Sequence, residues 1–379
     1  MRRGRRTAAG SSSVALLLDL ASERKAGMAK AWIKWSRWFL ASALVVAGLL
    51  FAFVAMLDPF GMRVHAGQAP RPIMDINQRF MYPQLVRSGR FDAAVVGTST
   101  MRLLDPEVLS RGLDARFVNL AMNAATPWEQ TQMARLFREH VRAPKRLIWG
   151  IDTTWCEADA TDEAKRLTPR PVPAWLSREV GWGDWPKLLN LTNLEIAGRL
   201  MAHRLGWSRE RIRGDGYEVF TPPEASYDLA RARWHIYASN GGVAADLAPL
   251  SPPAVVTPAE SAAWRFPALS WLEDSISAFP TATQVMLVLP PAHLAAYPRQ
   301  GSAGWQRYAS CKGQIAALAR RHGAVVVDYA HASPITSQDA NYWDPLHFRL
   351  AIAARFGEEL ARIGKGGAPL PDGAAVVLR

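Results

Sequence analysis

The feature that most constrains this chain is an uncharged segment of twenty residues at positions 38–57, WFLASALVVAGLLFAFVAML. At a rise of 1.5 Å per residue, a helix of this length spans the hydrocarbon core of a bilayer, which is about 30 Å thick. A cleaved signal peptide is the alternative, but its apolar region usually runs only about 7–15 residues. We therefore predict an uncleaved transmembrane anchor.

Positive charge is concentrated just before this segment. The formal net charge is +12, and residues 1–37 hold nine Lys or Arg against two acidic residues. Basic residues flanking a membrane span stay in the cytoplasm, so we expect the chain after the span to lie outside it. The charge then sets topology, and we expect no nucleic-acid partner. Met28 is an alternative start, since three basic residues would still precede the span.

The rest of the chain alternates short apolar runs with helical patterns. The runs are bounded by Gly, Pro or charge, as expected for strands buried on both faces, and they occupy residues 92–99, 116–122, 146–153, 283–291 and 323–330. Thr126 predicts a helix N-cap, with Pro127 at the first helical position. We predict an α/β fold with a five-stranded parallel sheet and helices on both faces.

The domain organisation follows from these segments. We expect a basic cytoplasmic segment at residues 1–37, the anchor at 38–57 and a connector at 58–90. An α/β domain with an insertion follows at 91–365, and a C-terminal tail at 366–379. The insertion, at 156–260, is rich in Trp and Pro. It is either a cap over a substrate or a small core of its own.

Residues suited to catalysis follow the first and the last of the predicted strands. Ser99 follows the first strand, and Asp344 and His347 follow the last one, three residues apart, where we expect a helix to begin. A ligand site of a parallel sheet lies beyond the carboxyl ends of its strands. His347 would take a proton from Ser99, while Asp344 would orient the imidazole.

Other kinds of site find less support in the sequence. No GxxxxGK[ST] and no strand-linked GxGxxG motif is present, so we expect no nucleotide or other cofactor. A metal site is not expected, because the candidate ligands His331, Asp339, Asp344 and His347 are not spaced to converge. Cys156 and Cys311 are too few for a disulfide scaffold, and whether they pair is left open.

Four blocks resemble the spaced motifs of the SGNH/GDSL hydrolase superfamily: VVGTST at 95–100, FVNLAMNA at 117–124, WGID at 149–152 and DPLH at 344–347. More narrowly, they resemble its membrane-anchored extracytoplasmic members, such as D-alanyl transfer proteins of teichoic acids and alginate O-acetylation proteins. The resemblance covers residues 90–155 and 283–362. It implies a flavodoxin-like three-layer fold with Ser99 as nucleophile and a triad completed by His347 and Asp344.

Two positions depart from the family pattern. The family's oxyanion hole uses the backbone N–H of the nucleophile, a Gly N–H and an Asn side chain. This chain has Asn123 near the Gly position and Asp152 near the Asn position. An ionised Asp has no proton to donate, so Asp152 would oppose an oxyanion unless it is neutral, and Asn123 is an alternative amide donor. His293, after the fourth strand, is either a substrate contact or a loop residue.

The resemblance implies a single-pass protein of the bacterial inner membrane with a periplasmic domain. It would transfer an acetyl or similar acyl group to or from hydroxyls of a cell-surface or exported polysaccharide, beside a membrane-embedded acyltransferase partner. Hydrolysis by the same triad differs only in the acceptor, which is water. A non-catalytic polysaccharide-binding or assembly protein on the same fold is the alternative.

Overall fold

Five apolar runs of the sequence form the parallel part of the central sheet. The computed structural model describes residues 10–178 and 181–378. Its strands are β1 (Ala93–Val96), β2 (Phe117–Asn119), β3 (Arg146–Gly150), β4 (Gln284–Leu289), β5 (Val325–Asp328) and β6 (Val376–Leu378). Their order is β2-β1-β3-β4-β5-β6, with β1 to β5 parallel and β6 antiparallel to β5. The predicted α/β class is therefore confirmed.

The sixth strand was not predicted. Residues 366–379 were expected to form a tail, but Val376–Leu378 pairs with β5, where Val377 lies opposite Val327. An edge strand of three half-exposed residues has too few side chains to show an alternating pattern. The sheet thus has six strands instead of five.

Helices pack on both faces of the sheet. The helices of the described residues are α1 (Gly10–Leu57), α2 (Gln78–Met81), α3 (Pro83–Arg87), α4 (Ser99–Arg102), α5 (Pro106–Leu113), α6 (Pro127–His140), α7 (Glu163–Arg166), α8 (Leu191–Arg204), α9 (Leu229–Ile236), α10 (Pro258–Ala263), α11 (Ala268–Ser277), α12 (Ala303–Arg321) and α13 (Leu350–Gly364). Ala93 and Val95 of β1 belong to one apolar core, and Ala94 and Val96 belong to another. Because side chains alternate along a strand, the two cores lie on opposite sides of the sheet.

The start of α6 follows its sequence signals. Thr126 accepts a hydrogen bond from the backbone N–H of Glu129, and the Glu129 carboxylate accepts one from the N–H of Thr126, with Pro127 at the first helical position. This capping box confirms the predicted N-cap.

The N-terminal helix α1 is long and apolar enough to cross a membrane, a property that signal sequences share. It extends well beyond the predicted span of 38–57. Its last turn is part of the domain, since Val54 and Leu57 are buried in the core. The Asp58 carboxylate then accepts hydrogen bonds from the backbone N–H groups of Met62 and Arg63, which turns the chain away from the helix.

The connector and the insertion also contribute to the core. Phe60, Met81 and Tyr82 of the connector are buried. Cys156, at the end of the 3₁₀ turn Thr153–Cys156 that follows β3, is disulfide-bonded to Cys311 of α12. The bond ties the start of the insertion to the helix before β5.

Candidate active site

Ser99 is placed by the turn that links β1 to α4. Gly97 has φ 154°, and a Cβ there would lie 2.6 Å from Cγ of Met101, so a side chain would force Met101 to move. Ser99 is the first residue of α4 and is half-buried. Its backbone N–H therefore has no acceptor within the helix.

Asp344 and His347 lie in the loop between β5 and α13, not on a helix as predicted. A bridge between Tyr342 and Phe348 closes this loop at its base. Asp344 Oδ1 accepts hydrogen bonds from the backbone N–H groups of Leu346 and His347, at 2.8 and 2.9 Å. A turn thus brings the carboxylate to the imidazole, and it does so at the same three-residue spacing that a helix would have given.

The three predicted residues form a continuous chain of hydrogen bonds. His347 Nε2 lies 2.8 Å from Ser99 Oγ, and His347 Nδ1 lies 2.7 Å from Asp344 Oδ2. Burial alone would raise the pKa of Asp344, but hydrogen bonds and attraction from His347 hold it below its ordinary value. An ionised Asp344 fixes the Nδ1–H tautomer, which leaves Nε2 free to accept the hydroxyl proton of Ser99.

A cleft of about 460 Å³ opens at Ser99. Small and apolar side chains make up most of its wall, with polar groups near the serine; the lining residues include Thr98, Ser99, Ala124, Ala125, Pro127, Asp152, Thr154, Ala160, Lys165, Leu167 and Leu346. The β1–α4 turn, the segment after β2, the β3 end, the insertion and the β5–α13 loop all contribute to it. A substrate in this cleft would therefore contact the insertion and the nucleophile at once.

Ala124 has a backbone conformation that usually requires glycine. Its φ is 45°, in the left-handed region, and it lines the cleft. Among the described residues, its backbone N–H and that of Ser99 donate to no acceptor. Two free N–H groups beside a nucleophile are suited to bind an oxyanion. Ala124 could not be identified from the sequence, because an alanine does not indicate positive φ.

Asp152 lies in the same cleft, at the end of β3. Its Oδ1 accepts hydrogen bonds from the backbone N–H and the hydroxyl of Thr154. Burial raises the pKa of Asp152, and hydrogen bonds from Thr154 and Thr98 offset part of this effect. A raised pKa extends the neutral acid, the form that can donate a hydrogen bond, to higher pH than in an exposed Asp.

Asn123 and His293 do not line the cleft. The Asn123 side chain is on the surface, where its Oδ1 accepts a hydrogen bond from Arg102. His293 is fully buried, its Nε2 lies 3.1 Å from Asp339 Oδ1, and burial lowers its pKa. Its backbone N–H donates to the carbonyl of Pro345, so His293 supports the loop that carries His347.

A side chain of the insertion, which the sequence did not predict to be part of the site, also contacts the triad. Phe220 packs edge-on against the His347 ring, with 5.1 Å between ring centroids. The Arg102 guanidinium lies 4.3 Å from the Phe220 ring centroid and is paired with Glu218. Nothing local in the sequence relates position 220 to position 347, since the contact depends on how the insertion folds back.

No family model and no curated protein matches this chain. Within residues 10–178 and 181–378, no group of three or more His, Cys, Asp or Glu is arranged to hold a metal ion. The assignment of the site rests on its own geometry.

Proposed function

We propose that the chain is a serine acyltransferase or esterase of the SGNH type, which works through an acyl-Ser99 intermediate. The Ser99–His347–Asp344 hydrogen-bond chain carries this proposal. The parallel strand order β2-β1-β3-β4-β5 supports it, because this is the order of flavodoxin-like sheets, with β6 added at the edge.

The reaction starts when Ser99 Oγ attacks the acyl carbonyl carbon and passes its proton to His347 Nε2. The tetrahedral oxyanion accepts hydrogen bonds from the backbone N–H groups of Ser99 and Ala124 and from neutral Asp152. The bond to the leaving group then breaks, and that group takes the proton from His347. An acceptor hydroxyl repeats these steps in reverse and releases Ser99.

The acceptor we propose is a hydroxyl of a cell-surface or exported polysaccharide, with water as the alternative acceptor. The resemblance to the membrane-anchored SGNH branch supports this class, as does α1, which we take as an inner-membrane anchor with the domain in the periplasm. The Cys156–Cys311 disulfide fits such a compartment, because disulfides persist where the environment is oxidising. A membrane-embedded acyltransferase partner would supply the acyl group.

The proposal is tested by trapping the intermediate. The full-length chain in detergent is mixed with p-nitrophenyl acetate, quenched in acid and digested, and the peptide carrying Ser99 is examined by mass spectrometry. We expect an acetyl adduct on Ser99 that S99A lacks. Adding an O-deacetylated polysaccharide then separates transfer from hydrolysis. Equal p-nitrophenol release by S99A and wild type would overturn the proposal.

A further inference from the structure

The insertion exposes an apolar surface close to the end of α1. The side chains of Trp182 and Leu191 are 92% and 85% exposed, and Leu189 between them is more than half exposed. We call these three residues the insertion face. Large apolar side chains grouped on the surface of a domain indicate a contact with something outside the domain.

The insertion face is joined to α1 by direct packing. Val54 and Leu57 of α1 share one core with Leu188, Ile196 and Leu200 of the insertion. Helix α1 contacts both α8 and the 3₁₀ turn Trp182–Leu188. Trp182 begins that turn and Leu191 begins α8. The apolar side chains therefore lie beside the point where the chain leaves the predicted span.

Basic and aromatic side chains border this face. The Lys187 ammonium lies 5.6 Å from the Trp175 ring centroid, and the Arg63 guanidinium lies 5.8 Å from that of Trp185. Arg63 also donates to the carbonyl of Met56, in the last turn of α1. Aromatic rings and cations with long apolar stems are the groups that gather at the interface between lipid and water.

We propose that the insertion face lies in the headgroup region of the bilayer that α1 crosses. The proposal rests on α1 being a membrane anchor, and it is independent of the chemistry at Ser99. A bilayer is the occupant we infer because the elements that carry the insertion face contact α1, and because Arg63 lies against both Trp185 and the end of α1. Two attachments, a helix and a surface, would fix how the cleft faces the membrane, whereas a single helix would let the domain rotate.

The test places a probe on the face and measures what surrounds it. Cys156 and Cys311 are bonded, so an introduced cysteine is labelled selectively. W182C and L191C of the full-length chain carry an NBD fluorophore in vesicles of phosphatidylethanolamine and phosphatidylglycerol. The matched control is V255C, an apolar residue 91% exposed, next to Ala254, whose N–H donates to the carbonyl of Gly301.

We expect nitroxide-bearing lipids to quench the probes at positions 182 and 191, and aqueous iodide to quench them several-fold less than at position 255. Iodide quenching of equal strength at all three positions would overturn the proposal. Shielding from both lipid nitroxide and iodide would also overturn it, since that result assigns the face to a protein contact such as a second copy. Acyl-Ser99 formation is measured separately, so failure of the proposed chemistry does not imitate either outcome.

Discussion

Ser99 Oγ and His347 Nε2 lie 2.8 Å apart, although 248 positions separate the two residues in the chain. The parallel sheet produces this contact, because β1 and β5 deliver their following loops to the same edge. The loop after β5 then turns back at Asp344, so that the imidazole faces the serine. The fold thereby supplies a nucleophile, a base and an orienting acid in one line.

Replacement of Asp344 by Asn should abolish most of the activity. The amide cannot stabilise the imidazolium and favours the wrong tautomer of His347, and the comparable change in serine proteases lowers kcat about 10⁴-fold. We expect a fall of this order in the hydrolysis of p-nitrophenyl acetate. D339N is the matched control. Asp339 lies in the same loop as Asp344, but it pairs with His293 and Arg233 and not with the triad. Wild-type kcat in D344N would contradict the assigned role.

Asp152 should make activity fall as pH rises above the ordinary range of an Asp. Its pKa is raised by burial, so the neutral donor persists above the ordinary range of an Asp and is lost as pH rises through the raised pKa. Wild-type kcat should decline over that window, because the carboxylate repels the oxyanion, whereas D152N keeps an amide donor and lacks this decline. Profiles of kcat against pH for the two proteins provide the measurement, and profiles that decline equally as pH rises would refute the role.

The same group links stability to pH with a defined sign. The folded state holds the Asp152 proton more tightly than the unfolded state does, so the free energy of unfolding is greatest below the ordinary Asp pKa and falls as pH rises through the raised value. Between the ordinary pKa of an Asp and the raised pKa of Asp152, the Tm of D152N should fall less with pH than the Tm of the wild type.

The buried pair of Arg102 and Glu218 should be costly to break. R102M leaves Glu218 in a mostly buried place without its cation, and losses of this kind cost about 3–5 kcal/mol. R111M is the control, since Arg111 pairs with Glu107 on an exposed helix surface, where such pairs contribute about 0.3–0.5 kcal/mol. Urea unfolding measures both. Equal effects of the two substitutions would show that Arg102 has no special structural role.

Removal of the disulfide should weaken the fold around Asp152. The bond links residues 155 positions apart, and loss of a native disulfide typically costs about 2–5 kcal/mol. The double variant C156S/C311S should therefore unfold at lower urea concentration than the wild type. Treatment of the wild type with a reductant should reproduce this shift and leave the double variant unchanged. A wild-type midpoint that does not respond to reduction would contradict the prediction.

Much of the sheet could be read from the sequence, because strands buried on both faces consist of nearly continuous apolar residues, as in Ala93–Val96 and Gln284–Leu289. The edge strand Val376–Leu378 could not, since it is short and partly exposed. The spacing of Asp344 and His347 identified the pair but not the backbone conformation between them. A helix and a turn can both bring together side chains three residues apart.

The parts of the site that the sequence did not reveal depend on long-range packing. Phe220 reaches His347 only because the insertion folds back over the sheet edge. Whether Cys156 and Cys311 meet is likewise a matter of tertiary structure. Asp152 was recognised as a departure from the family pattern, but the burial that raises its pKa is a result of tertiary packing.

The most direct test of the central claim is covalent labelling by a fluorophosphonate probe, which reacts with activated serines. The full-length chain is the proper sample, since Val54 and Leu57 of α1 belong to the core. We predict that the wild type is labelled on Ser99, and that S99A and H347A, folded by circular dichroism, are not. A folded wild type that is not labelled, or labelling that persists in S99A, would contradict the account.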